Sequence, residues 1–240
     1  MTSSKIQFGY GPLKAVVLWH ISMDPPSLEE VRDFFWRFEN DFTFLVYDSV
    51  LLSIPDSDWI EHWEKEFREC DFDFAIGLAL GGRILHSLKL NPSIPKILVS
   101  APIVFDQDLR EKLKGIADLL DRKQGSEAVA RINQYVQPTP KMNSVTSHVN
   151  ATQIERFSRG VNFLLNQGCH LDDPNPKIHL IGKRSALVNE NHVPRDEDKI
   201  VDEHASMRVL RDLSPSSETA LRKWITTQER RSYENHSSTG

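Results

Sequence analysis

Residues 75–84 read Ala75-Ile76-Gly77-Leu78-Ala79-Leu80-Gly81-Gly82-Arg83-Ile84. The run before them, Phe72 to Leu78, is almost wholly apolar, as in a strand buried on both faces of a sheet. From Gly81 to Leu90 the apolar residues return at helical spacing. Between the two stands a small residue, Ala79, framed by Gly77, Gly81 and Gly82. Glycine lets a backbone bend sharply and lets neighbouring elements approach closely, so the stretch predicts strand, tight turn and helix. It is not a phosphate loop, because the Lys-Ser/Thr pair is missing, and it lacks the G-x-G-x-x-G spacing of a dinucleotide site.

Outward from this turn, strand-length runs alternate with helix-period segments. Lys14–Trp19, Phe42–Tyr47 and Pro95–Ala101 read as strands. Leu28–Trp36 reads as a helix with Ser27 as its cap and Glu30 completing a capping box. Asp58–Cys70 reads as another, with Trp59, Trp63, Phe67 and Cys70 on one stripe. This β-α-β rhythm predicts an α/β fold, a mostly parallel sheet covered by helices on both faces. Between 106 and 167 no strand signal stands out. Leu109–Leu120, Glu127–Val136 and Thr152–Leu165 read as helices, and Gln137–Asn150 as a flexible connection. The segment is expected to be a helical lid inserted between two strands of the sheet. Lys177–Gly182 then reads as a strand, Asp198–Ser206 as a helix, Met207–Arg211 as the last strand and Glu218–Arg231 as the closing helix. The expectation is one domain over residues 1–231, followed by a polar tail at 232–240.

Bulk properties narrow the class. At 240 residues the chain can bury a substantial core, and its 39% apolar and 26% charged residues are ordinary for a soluble globular protein. A net charge of -5 argues against a nucleic-acid surface. No apolar run is long enough to span a bilayer, and the N-terminus lacks the apolar core of a signal peptide. Two cysteines, Cys70 and Cys169, are too few for a disulfide framework, which suits a reducing compartment. These features predict a cytoplasmic protein without a membrane or nucleic-acid partner. His20, His62, His86 and His148 are scattered, and Asp196, Asp198, Asp202 and His204 read as a solvated helix start, so no metal site and no cofactor are expected. Phe34, Phe35, Trp36, Phe38, Trp59 and Trp63 read as sheet-covering core, or as a partner patch where exposed.

The order of elements and the Gly77-Leu78-Ala79-Leu80-Gly81 turn resemble the α/β-hydrolase fold, over nearly the whole chain from Lys14 to Arg231. The short length looks most like the small carboxylesterases and thioesterases. In that family the turn is a nucleophile elbow, G-x-S-x-G, so Ala79 stands at the nucleophile position without a hydroxyl. The resemblance implies three further positions. His20 ends the first apolar strand where the family has His-Gly, with Ile21 in the glycine's place; the backbone N–H groups of Ile21 and Leu80 would be the oxyanion donors. Gly182-Lys183-Arg184-Ser185-Ala186-Leu187-Val188 matches the acid motif at Gly182 and Val188, with Ser185 where an aspartate is expected; Glu190 lies close by. The family's base follows the final strand, where Leu210–Ser217 holds no histidine; His192 and His204 are the nearest upstream.

The resemblance therefore implies a hydrolase-like protein without serine, acid or histidine of the triad, engaged in non-hydrolytic binding of a small acyl ligand, an acyl carrier protein or another partner, or in non-hydrolytic catalysis with His20 as the residue to suspect. The alternative is a carboxylesterase or thioesterase bearing a serine-to-alanine substitution at Ala79. A third reading is a scaffold whose pocket is filled.

Overall fold

The computed structural model describes residues 5–136, 149–166 and 173–237, the last six of them by backbone alone. Cys169, His148, Asp172 and most of the 137–150 connection lie outside the described residues. The sheet runs β1 (Lys5–Phe8), β3 (Phe42–Tyr47), β2 (Leu13–Leu18), β4 (Phe74–Leu78), β5 (Lys96–Val99), β6 (Lys177–Gly182) and β7 (Asp198–Asp202). All neighbours are parallel except β1, which pairs antiparallel with β3 through Ile6 opposite Val46. The central strands β4 and β5 are buried at every position; their residues are apolar except Lys96, whose charge is paired with Asp173.

Alternate strand residues feed two cores. On one face Val16, Leu18 and Ala75 meet α2 (Trp59–Arg68), α3 (Leu80–Ser87), α4 (Gln107–Asp121) and α6 (Ala151–Asn166). On the other, Ala15, Val17 and Phe74 meet α1 (Leu28–Phe35), α7 (Val209–Asp212) and α8 (Pro215–Ser237). The Ser27–Glu30 capping box forms at the start of α1 as expected. Of the aromatic stripe, all are buried except Trp36, which is 51% exposed and carries the Arg37 guanidinium over its ring. The free Cys70 packs beside Tyr47. Three helices, α4, α5 (Gly125–Val136) and α6, intervene between β5 and β6.

Two expectations are corrected. Residues 198–202 form the edge strand β7, not a helix, and residues 209–212 form the short helix α7, not the last strand. An edge strand with one exposed side needs no apolar run, and charges such as Asp198 and Lys199 guard it against pairing with another chain. Val209 and Leu210 are apolar because α7 packs on α1, and so short a run has no readable period. The acidic group around Asp202 is therefore no solvated helix start. Asp202 is buried at the end of β7 and accepts from the backbone N–H groups of His204, Ala205 and Ser214 at 2.9, 3.0 and 2.7 Å. β1 was not anticipated, and α8 begins before Glu218 and continues past Arg231 to Ser237, into the stretch expected as tail.

Candidate functional site

The elbow is built at the C-terminal end of β4. Ala79 has φ 47° and ψ -107°, a left-handed conformation rare for a residue with a side chain. Both its backbone groups are satisfied: its N–H donates to Val99 at 2.8 Å, and its carbonyl accepts from Arg83 at 3.0 Å. The glycines make the bend sterically feasible. A Cβ on Gly81 would lie 2.1 Å from the Leu18 carbonyl oxygen, and one on Gly77 would lie 2.4 Å from Gly82 Cα. Such backbone conformations cost about 1–3 kcal/mol for a non-glycine residue. Ala79→Gly is therefore expected to raise stability by roughly 1 kcal/mol in denaturant unfolding. A loss instead would mean that packing of the methyl outweighs its strain.

Above the elbow lies a cavity of about 170 Å³, at the C-terminal edge of the sheet where α/β folds hold ligands. Its floor is Ala79 with Leu78 and Leu80; its roof comes from α4, α5 and α6 through residues such as Leu113, Ile132 and Val161. The lining is apolar apart from His20, Asn133 and Arg208. Ala79 is partly exposed within it, so the elbow presents a methyl group to the chamber.

His20, Ile21 and Leu80 all line this cavity, so the two expected N–H donors and the histidine share one chamber with Ala79. His20 Nδ1 lies 2.7 Å from the carbonyl oxygen of Ile21. In the neutral ring that nitrogen donates, leaving Nε2 as an acceptor. Burial holds the His20 imidazole below its ordinary pKa, and the nearby Arg208 charge adds to this against the Ile21 hydrogen bond; the ring is neutral at pH 7.

Ser185 is buried and is not part of the chamber's lining. Its hydroxyl accepts from the N–H groups of Leu187 (3.3 Å) and Val188 (3.1 Å), tying the turn after β6. Glu190 is exposed and away from the cavity. His192 is fully buried, with Nδ1 accepting from Asn189 N–H at 3.1 Å and Nε2 3.2 Å from the Asp106 carboxylate. With β7 as the last strand, His204 falls in the loop that follows it rather than on a helix, yet its side chain is exposed and outside the lining. Met207 and Arg208, from the same loop, face the chamber instead. Both were hidden by the misplaced last strand; correct placement of β7 is the signal that finds them. Among the described residues no cluster of three or more metal-ligating side chains occurs, and no helix is long and apolar enough to cross a membrane.

The roof is fastened by charge. Arg156 of α6 makes a buried bidentate pair with Asp48, at the end of β3, with N–O distances of 2.5 and 2.7 Å, and Nε donates to the Ser22 carbonyl at 3.3 Å. Arg159 pairs with Asp56 at 2.5 Å, and Gln153 donates to Asp24 at 3.1 Å. Two connections at the top of the sheet, β2 to α1 and β3 to α2, are thus held by one helix.

No protein-family model and no curated protein matches the chain. Solved structures do. An α/β-hydrolase enzyme from a Medee basin deep-sea metagenome library superimposes with a TM-score of 0.65 at 11% identity, covering 91% of each chain. An esterase from Exiguobacterium antarcticum gives 0.64 at 12% identity over 94% of both chains. A protein that recognises and cleaves the ring of the Pseudomonas quinolone signal gives 0.62 at 12% identity, over 94% of this chain and 96% of the other. The chain has the α/β-hydrolase fold. In this chain the elbow presents a methyl group to the chamber, and the loop after β7 presents methionine and arginine.

Proposed function

We propose that this protein uses the α/β-hydrolase chamber without hydrolysis, to bind a small acyl ligand, free or on a carrier, whose carbonyl faces the Ile21 and Leu80 N–H groups. The observation that carries this is the elbow itself: Ala79 holds the nucleophile's strained geometry at the chamber floor and offers no atom that could attack a carbonyl. Ser185 and the loop after β7 extend the argument, since Ser185 is no carboxylate and the loop turns Met207 and Arg208, not His204, into the chamber. Restoring the hydroxyl alone should therefore restore nothing. Ala79→Ser is expected to hydrolyse p-nitrophenyl acetate and butyrate no faster than the unaltered protein. Ester turnover well above that background would overturn the reading in favour of an esterase or thioesterase carrying a serine-to-alanine substitution.

A second reading, proton transfer without a covalent intermediate, is favoured by the neutral state of His20. An imidazole with a free acceptor can take a proton from the carbon beside a polarised carbonyl while the electron pair moves onto the oxygen held by the two N–H donors. The ring-cleaving relative supports this reading only in that its fold serves a reaction other than ester cleavage.

A further inference from the structure

We propose that the ligand of this chamber carries a negative charge, and that Arg208 selects it: a short carboxylate, with its apolar part enclosed and its acid group at the mouth. The inference rests on the chamber being a ligand site, as proposed above, and adds the ligand's chemistry. Among the described residues, Arg208 is the one residue of the lining that bears a full charge; no aspartate, glutamate or lysine contributes to it. Among the described residues no carboxylate pairs with this guanidinium, whereas the other cation beside the chamber, Arg156, is engaged by Asp48. Arg208 and His20 line the same chamber, and burial is the main cause that keeps the His20 ring below its ordinary pKa. His20 therefore adds no second charge.

The rest of the wall sets the ligand's other end. The lining is otherwise almost wholly aliphatic and aromatic, and a cavity of about 170 Å³ is of the size that admits a single ring or a chain of roughly six carbons. A partly exposed guanidinium at the rim of such a chamber binds a carboxylate by paired N–H donors, an arrangement in which an isosteric neutral amide gains far less. Because Arg208 is solvent-exposed, the preference should weaken as salt is raised.

The test compares hexanoate with hexanamide, which differ in charge and hardly in shape, by titration followed through the protein's NMR methyl signals. The intact protein is expected to bind hexanoate about tenfold more tightly at low ionic strength. In Arg208→Gln the ratio should fall to about one, mainly through weaker hexanoate binding, with the variant's dispersed methyl spectrum showing that it is folded. Equal affinity for the two probes in the intact protein would overturn the proposal and leave the chamber as a neutral acyl site. A preference that survives in Arg208→Gln would overturn it by placing the selecting charge elsewhere. Binding of neither probe would remove the chamber reading and this inference together.

Discussion

Asp48→Asn is expected to cost about 3–5 kcal/mol of stability, the range found when one partner of a buried ion pair is removed. The carboxylate of Asp48 accepts two hydrogen bonds from Arg156 inside the protein, and it also accepts from Val50 N–H at 3.1 Å. Asparagine leaves the guanidinium buried, charged and short of acceptors, on the helix that roofs the chamber. Urea denaturation measures the loss. The double substitution Asp48→Val with Arg156→Met should recover much of it, because no charge is then stranded. A cost below about 1 kcal/mol for Asp48→Asn would show the pair to be no stronger than a surface one.

The second large effect lies at the opposite end of the sheet. Lys96 and Lys177, at the starts of β5 and β6, face Asp173 and Glu197, and His179 and His86 approach the same Glu197 at 2.5 and 3.6 Å. Burial alone would raise the Glu197 carboxyl, but the hydrogen bond from His179, the nearby His86 ring and the Lys177 charge outweigh it and hold the group far below the usual carboxylate range. Burial also lowers His86, against the opposing pull of Glu197. For both groups the unfolded chain binds the proton more readily than the folded one. Each therefore supports the fold above its unfolded pKa and withdraws that support as pH falls. Stability is expected to decline first below about pH 6.5, where histidine protonates in the unfolded chain, and more steeply below about pH 4.3. Glu197→Gln should remove about 3 kcal/mol or more at neutral pH and abolish its share of the lower step. A denaturation midpoint that is flat from pH 7 to 4 would contradict both arguments.

What could be read from the sequence followed how strongly burial constrains each element. The central strands had to be almost wholly apolar, and the elbow needed glycines at 77, 81 and 82 because backbone lies within a bond length or two of where their side chains would be. Those parts were legible, and with them the grouping of Ala79, Ile21, Leu80 and His20 around one cavity. The sheet's two margins were not. β1 is four residues long and partly exposed, and β7 exposes charged side chains at an edge, so neither carries an apolar run. The error at β7 shifted the post-strand loop and concealed Arg208 and Met207. Asn133 was hidden differently: its helix was recognised, but only the packing of that helix over the sheet brings it to the chamber. The part played by Ser185 in fixing its own turn likewise depends on backbone N–H directions that no spacing encodes.

A side chain at Gly160 of α6 would come within 2.9 Å of Ile21 and 3.3 Å of Leu80. The helix over the chamber thus lies directly against Ile21 and Leu80, with no room between for a side chain. Any larger residue at 160 must push the Ile21 side chain aside or lift the helix. The height of the ceiling over Ala79 is therefore set by one missing methyl group.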